Sequence, residues 1–255
     1  MIARIGIAGV SGRMGRLLAE ETLAAGCVLV GGTSRTHNPA TDIAYFVDTP
    51  TLAAACNVLI DFTHASTVAS HATAVTAGGC AWVLGTSGLS ASDEAAVAAA
   101  AEKVAVVYAP NFSPGVNLAL ALAQRMAAAL PADSYDAEIV EMHHRQKVDA
   151  PSGTAIGLGR AVARGRGVKL EDVMESGRDG HVGARKTGAI GFAALRGGQV
   201  VGEHTLIFAA GTEHIELTHR AYDRRAFATG AVRAALWARG QKPGLYSMMD
   251  VLGMA

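Results

Sequence analysis

An excess of charge of either sign is missing from this 255-residue chain: Lys plus Arg number 22, Asp plus Glu number 22, and the formal net charge is zero. A dedicated nucleic-acid binder needs a basic excess to neutralise phosphates, so that class is set aside, although the balance still permits a local basic patch. Charge is also scarce, at 17% of residues against 50% hydrophobic. A chain of that make-up does not stay disordered and has the apolar surface for one large domain or two modest ones. Cysteine is scarce too. Cys27, Cys56 and Cys80 form an odd set without metal-type spacing, which argues against a disulfide scaffold and a zinc site and for a reducing compartment. Each reads as a small buried hydrophobe. No uninterrupted apolar stretch reaches the ~18 residues of a membrane span. The start, Met1-Ile2-Ala3-Arg4-Ile5-Gly6-Ile7, lacks the basic leader and cleavage site of a signal peptide and reads as an opening strand. No internal repeat is visible. The expectation is a soluble, cytoplasmic, enzyme-sized protein with no membrane and no nucleic-acid partner.

What is present is an alternation of strand and helix signals in the first part of the chain. Ile2 to Val10 is a short β-branched apolar run, and Arg13 to Ala25 follows as a helix closed by Gly26. Strands are expected at Cys27 to Gly31, Val58 to Ile60, Ala81 to Leu84 and Val104 to Tyr108, with helices ending at Ala77 and running from Asp93 to Lys103. Strand, helix, strand at this pitch means a parallel sheet covered by helices. The pattern then changes. A long apolar helix, Val116 to Leu130, precedes a strand at Ala137 to Met142 and a helix at Ala155 to Arg164. Three strand-like runs follow, Ala189 to Leu195, Val200 to Ala209 and His214 to Ala221, and their short glycine-containing links point to antiparallel neighbours. A last helix, Phe227 to Arg239, is expected to return to the first domain. The fold class is therefore α/β, a Rossmann-type parallel sheet domain plus a second α+β domain with a mixed, largely antiparallel sheet. The expected boundaries are 1–114 with 226–255 for a dinucleotide-binding domain, and 115–225 for a substrate-binding and oligomerisation domain.

Chemistry concentrates at three kinds of place. The first strand runs into Gly9-Val10-Ser11-Gly12-Arg13-Met14-Gly15, a glycine-rich turn that opens a helix. Such a turn presents backbone N–H groups and a helix N-terminus to a pyrophosphate. The spacing is GxxGxxG rather than GxGxxG, so the strand–turn–helix context carries the dinucleotide reading. The second expected strand ends Val30-Gly31-Gly32-Thr33-Ser34-Arg35, without the carboxylate that holds the ribose of NAD, and Arg35 favours the 2′-phosphate of NADP. NADPH is thus the preferred cofactor and NADH a possible one. Gly85-Thr86-Ser87-Gly88 and Ala109-Pro110-Asn111-Phe112-Ser113-Pro114-Gly115 stand at carboxyl ends of expected parallel strands, where ligands of open sheets bind.

The densest cluster is Glu141-Met142-His143-His144-Arg145-Gln146-Lys147-Val148-Asp149-Ala150-Pro151-Ser152-Gly153-Thr154. The stretch from His143 to Arg225 holds 13 of the 22 Lys and Arg and six of the nine His, which makes it a candidate for holding a small anion. Gly153 and Thr154 stand at an expected helix N-terminus, suited to a carboxylate. Adjacent His143 and His144 on a strand point to opposite faces, so no metal is expected there.

Taken together these motifs resemble the dihydrodipicolinate reductase (4-hydroxy-tetrahydrodipicolinate reductase) family of bacterial lysine and diaminopimelate synthesis. The resemblance runs over nearly the whole chain, and His143 to Ala155 is its most specific part. Gly9 to Gly15, Asp61-Phe62-Thr63, Gly85 to Gly88, Asn111-Phe112-Ser113, Gly191-Phe192, Val201 to Thr205 and Gly230 to Trp237 agree in order. The resemblance implies a Rossmann domain plus a substrate domain whose sheet builds a homotetramer. It implies reduction of a cyclic imine dicarboxylate to tetrahydrodipicolinate by NADPH or NADH. It places the cofactor on Gly9, Val10, Ser11, Gly12, Arg13, Met14, Arg35, Gly85, Thr86, Ser87, Ala109, Pro110, Asn111 and Phe112. It assigns the substrate carboxylate to His144, Gly153 and Thr154, and the acid–base pair to His143 and Lys147. The chain departs from the family pattern at Ser34, where many members carry an acidic residue, and at His64-Ala65, Pro110 and Pro114. A different small-substrate dehydrogenase on the same architecture leaves the His143 to Ala155 stretch unaccounted for. A nucleotide sensor without turnover would want a DNA-binding or partner segment, and none is visible.

Overall fold

Short β-branched runs, each ended by glycine or a polar turn and followed by an alanine-rich stretch, give the first part of the chain its strand–helix alternation. The computed structural model describes residues 2–35 and 42–254. In chain order it contains β1 (Arg4–Ala8), α1 (Arg13–Ala24), β2 (Val28–Thr33), α2 (Thr49–Ala55), β3 (Val58–Asp61), α3 (Val68–Gly78), β4 (Ala81–Leu84), α4 (Ala91–Ala101) and β5 (Ala105–Tyr108). There follow α5 (Pro114–Ala129), β6 (Asp136–His143), α6 (Gly153–Gly165), α7 (Leu170–Val173), β7 (Met174–Ser176), β8 (Ile190–Arg196), β9 (Gly202–Ala209) and β10 (His214–Ala221). The chain closes with α8 (Arg225–Ala238), β11 (Gly244–Tyr246) and α9 (Met248–Leu252). It divides into two compact units, Met1–Pro114 with Arg225–Ala255, and Gly115–Arg224.

The first unit is a six-stranded sheet in the order β11-β5-β4-β3-β1-β2, parallel throughout. β3 and β4 are buried at every residue, as a parallel sheet with both faces covered requires. Alternation sorts the side chains. Ile5, Ile7, Ile60 and Val83 pack on one face with Leu18 of α1 and Ala231 and Ala235 of α8. Leu59, Trp82, Leu84 and Val106 pack on the other with Leu52, Val75 and Val97 of α2, α3 and α4. α8 reaches the loop after β5 through Gly230, where a Cβ would stand only 1.7 Å from the Phe112 carbonyl oxygen.

The second unit is a five-stranded sheet in the order β10-β9-β6-β8-β7. It is mixed. β6 pairs antiparallel with β9, and β9 with β10, while β6–β8 and β8–β7 are parallel. One expectation is corrected here: the runs joined through Gly197-Gly198 are not neighbours, because β6 lies between β8 and β9. The short link passes over the end of β6. Along β6 the residues alternate half-buried and buried, ending with Ala137, Ile139, Glu141 and His143 on the buried face. Beneath that face α6 sets Ala155, Leu158, Ala161 and Val162 against Ile139, Ile190, Phe192, Leu206 and Phe208. Helix ends also differ from the expected ones. Ser90 and Asp93 form a reciprocal cap that starts α4 at Ala91, and Ser152 caps α6 so that it starts at Gly153, two residues before Ala155.

Candidate active site

In the first unit the strand order reverses between β1 and β3, and an open parallel sheet offers a crevice at the carboxyl ends of the strands there. Gly9 ends β1 at φ +75° and accepts from the Gly12 N–H at 3.0 Å, while the Val10 N–H is taken by the Thr33 carbonyl of β2 at 2.9 Å. Gly12 caps α1 with no side-chain hydrogen bond, and the first turn of that helix holds no acidic residue. Gly15 is required for the helix to pack on the turn: a Cβ would lie 2.2 Å from the Gly9 carbonyl oxygen. The hydroxyls of Ser11 and Ser34 hydrogen-bond one another and tie the end of β2 to this turn, and the exposed Arg35 follows directly.

The loops after β3, β4 and β5 join the same edge. A Cβ on Gly9 would meet the Thr63 methyl at 3.1 Å, and one on Gly85 would meet the Phe62 ring at 2.3 Å. Phe62 packs on Phe112 with ring centroids 5.3 Å apart. Beneath them lies Asp61, fully buried at the end of β3. Its carboxylate takes the Thr63 N–H at 3.0 Å, the Thr63 hydroxyl at 2.5 Å and His71 Nδ1 at 2.7 Å, while the Thr86 hydroxyl accepts a further bond from the Thr63 N–H at 3.1 Å. Asn111 Oδ1 takes the Ser113 N–H at 2.8 Å and shapes the loop after β5. Gly9 to Met14, Gly85 to Ser87 and Ala109 to Phe112 thus share one edge of one sheet. A glycine turn into a helix N-terminus, free of side-chain carboxylate, fits the phosphates of a dinucleotide.

In the second unit β6 delivers Glu141 and His143 to the same buried face, because residues two apart on a strand share a side. Glu141 Oε2 holds His143 Nδ1 at 2.6 Å. Arg196, opposite His143 on β8, grips the same carboxylate with Nη1 on Oε2 and Nη2 on Oε1, both at 2.8 Å. The Ser152 N–H donates to Oε1 at 3.0 Å. Burial raises the Glu141 carboxyl, but Arg196, His143 and the Ser152 N–H outweigh it and hold the group below its ordinary value. The Ser152 hydroxyl contacts His204 Nε2 at 2.9 Å and caps α6 through the Ala155 N–H at 3.2 Å. His204 lies edge-on to His143, ring centroids 5.1 Å apart. Burial first, and then the neighbouring His143, push the His204 imidazole down to about 4.

The loop between β6 and α6 carries the remaining candidates. Lys147 Nζ lies 2.8 and 2.9 Å from the two Asp149 oxygens, and Arg196 Nη2 holds the Asp149 carbonyl at 2.7 Å. His144 is half-buried, and its Nδ1 is buried without a hydrogen-bond partner. Gly153 begins α6, and a Cβ there would meet nothing within 4 Å. His143, His144, Lys147, Gly153 and Thr154 therefore lie on one strand end, one loop and one helix start. Sequence reasoning set Glu141 and Ser152 in its densest cluster without giving them a role, and passed over Arg196 and His204 as site residues. Glu141 was signalled by its two-residue spacing from His143; Arg196 and His204 arrive from 55 and 63 positions beyond Glu141, and only the sheet register brings them in.

These features define a class, a two-unit oxidoreductase with a Rossmann-type sheet and a separate mixed-sheet unit bearing a cluster of hydrogen-bonded Glu141, His143, Arg196 and His204. The family model described as dihydrodipicolinate reductase, N-terminus, matches residues 3–112, and the one described as its C-terminus matches residues 115–252. The 4-hydroxy-tetrahydrodipicolinate reductase of Granulibacter bethesdensis is 70% identical over 254 residues, covering 98% of this chain and 97% of the relative. That of Gluconacetobacter diazotrophicus is 61% identical over 251 residues, with 98% and 97% covered. Among solved structures, the dipicolinate-bound dihydrodipicolinate reductase from Paenisporosarcina sp. TG-14 shares the fold, with a TM-score of 0.82 at 24% identity over 98% of this chain and 99% of that one. The chain belongs to the dihydrodipicolinate reductase family.

Proposed function

We propose that this protein reduces 4-hydroxy-tetrahydrodipicolinate, through dihydrodipicolinate, to tetrahydrodipicolinate in lysine and diaminopimelate synthesis. The observation that carries the reading is the buried Glu141–His143–Arg196 cluster set directly before the start of α6. Bound on Gly9 to Met14, Arg35, Gly85 to Ser87 and Ala109 to Phe112, NADPH would supply the hydride. Addition of hydride to the β-carbon of an α,β-unsaturated imine leaves an enamine carbon in need of a proton. Lys147 Nζ delivers that proton, with His143 as alternative or relay, and a positioned donor is worth roughly 10²–10⁴-fold. The Gly153 and Thr154 backbone and His144 hold a substrate carboxylate, aided by the partial charge of the helix start. The loop's Lys147 and Arg145 add positive charge to the same approach.

The protein is further proposed to work in the cytoplasm as a homotetramer assembled through the sheet of residues 115–225. Among the described residues no helix is long and apolar enough to cross a membrane.

The test follows nicotinamide absorbance while a separate synthase makes the substrate in place from pyruvate and aspartate semialdehyde. Oxidation that requires the synthase supports the reading; folded protein that binds NADPH and oxidises none overturns it. The same assay reads cofactor choice. Arg35→Ala should weaken NADPH more than NADH, because a guanidinium at the end of β2 recognises the 2′-phosphate alone. An unchanged NADPH to NADH ratio would remove Arg35 from the site.

A further inference from the structure

Glu141 is given no proton-transfer step above, yet its carboxylate is fully engaged. It is 1% exposed, and its two oxygens receive four hydrogen bonds from three directions: His143 Nδ1, both terminal nitrogens of Arg196, and the Ser152 N–H. A carboxylate accepts and does not donate, so the proton on the His143 ring must sit on Nδ1. That leaves Nε2 as the atom that exchanges protons. The opposite strand keeps the space beside Nε2 clear: Gly202 has no side chain, and a Cβ there would stand 3.0 Å from Nε2. The other groups around the ring do not compete for Nδ1. His204 spends Nε2 on the Ser152 hydroxyl, and Lys147 is engaged by Asp149.

We infer that Glu141, locked in place by Arg196 and the start of α6, is a positioning residue that fixes His143 in its Nδ1–H tautomer and so presents Nε2 as the working atom. The inference rests on the acid–base role proposed for His143. The lowered titration of Glu141 agrees with it, since the carboxylate stays ionised where it is needed.

The architecture makes Glu141→Gln a discriminating variant. The amide oxygen has one good place, the Oε1 position, where it still receives the Ser152 N–H and Arg196 Nη2. The amide NH2 then faces His143 Nδ1 and donates to it, with one donor, Arg196 Nη1, left against the NH2. The opposite orientation would set NH2 against two donors, Ser152 N–H and Arg196 Nη2. Glu141→Gln should therefore drive the neutral His143 ring to the Nε2–H tautomer, as removal of the orienting carboxylate does in other acid–base pairs.

The experiment is a long-range 15N–1H spectrum of histidine-labelled protein at a pH where the ring is neutral, with His143 assigned by its loss in His143→Asn. The wild-type ring is expected as Nδ1–H and the Glu141→Gln ring as Nε2–H. In turnover assays kcat should fall roughly 10- to 100-fold while KM for NADPH stays within about twofold. A wild-type ring carrying Nε2–H overturns the inference without any variant having to fold. So does a folded Glu141→Gln protein with unchanged tautomer, or with switched tautomer and unchanged kcat. A wild-type chain with the expected tautomer but no reductase activity would sink the proposed function and leave the tautomer result standing, so the two failures read differently.

Discussion

At the scale of single residues, the reaction needs a proton donor that is held but not trapped. Lys147 meets that description, with Nζ 2.8 Å from the exposed Asp149 carboxylate and a side chain only 19% exposed. Lys147→Ala should lower turnover roughly 10²–10⁴-fold and leave the Kd for NADPH nearly unchanged; equal loss of NADPH binding, read by fluorescence titration, would take the donor role away from Lys147. His204 makes a different prediction. Its imidazole is buried and titrates near 4 in the fold against 6.5 in an exposed chain. Between those values the unfolded chain binds a proton that the fold refuses, so the contribution of His204 to stability is constant above 6.5 and falls as pH drops toward 4, by about 3 kcal/mol. Urea unfolding of His204→Gln, whose amide keeps a partner for the Ser152 hydroxyl, should lose much of that slope; an identical pH dependence in wild type and variant would count against a neutral buried His204. The sequence displayed His143, Lys147, Gly153 and Thr154 because they stand in one unbroken stretch. It hid Arg196 and His204, because their places are set by ladder register and not by neighbourhood.

At the scale of elements, glycine and capping residues made most of the first unit legible. Each parallel strand is a short apolar run with a turn at its end, and the pattern repeats at an even pitch. α2, β7 and β11, of seven, three and three residues, are too short to repeat a hydrophobic pattern often enough to stand out from the loops around them. The β8–β9 link misled for a physical reason: Gly197-Gly198 has hairpin chemistry, but the strand between its arms is β6, whose own alternation gains more from pairing with both. The loop after β3 shows what an element can do for its neighbours. Asp61 binds α3 through His71 and the loops after β3 and β4 through Thr63 and Thr86. These loops border Gly9 and Gly85. Asp61→Asn should loosen them and raise the Kd for NADPH about tenfold, close to the 1–3 kcal/mol cost of disturbing a buried hydrogen-bond partner, while kcat at saturating NADPH holds. Calorimetric titration showing unchanged affinity in the folded variant would confine Asp61 to a role in stability.

At the scale of the molecule, the sequence changes from alternating βα units to a strand-rich segment, because a parallel sheet needs crossover helices and an antiparallel pair does not. What sequence could not convey is that, among the described residues of its own unit, helices pack on one face of the second sheet. α6 and α5 lie with the face of Ile139, Phe192 and Leu206. On the opposite face, register aligns Val140 with Ala193 and Thr205, and Met142 with Leu195. Leu195 is 51% exposed, and among the described residues of this unit no helix packs over that row. β10 forms an outer edge with most of its residues exposed. An apolar row between rims of charge, with Glu138 held by Arg178 and Arg185 near one end and Glu203 paired with Arg220 near the other, suits a second copy of the same sheet related by a two-fold axis. The proposed tetramer follows if that contact is repeated through the edge strands. Light scattering on the eluted protein should give about four times the 26.1 kDa chain mass. Leu195→Asp should shift the mass down, since a carboxylate at the centre of an apolar contact must be desolvated without a partner. A wild-type chain that elutes as a fully active monomer would leave this face as ordinary surface. A tetramer that survives Leu195→Asp would place the contact on some other face of the unit.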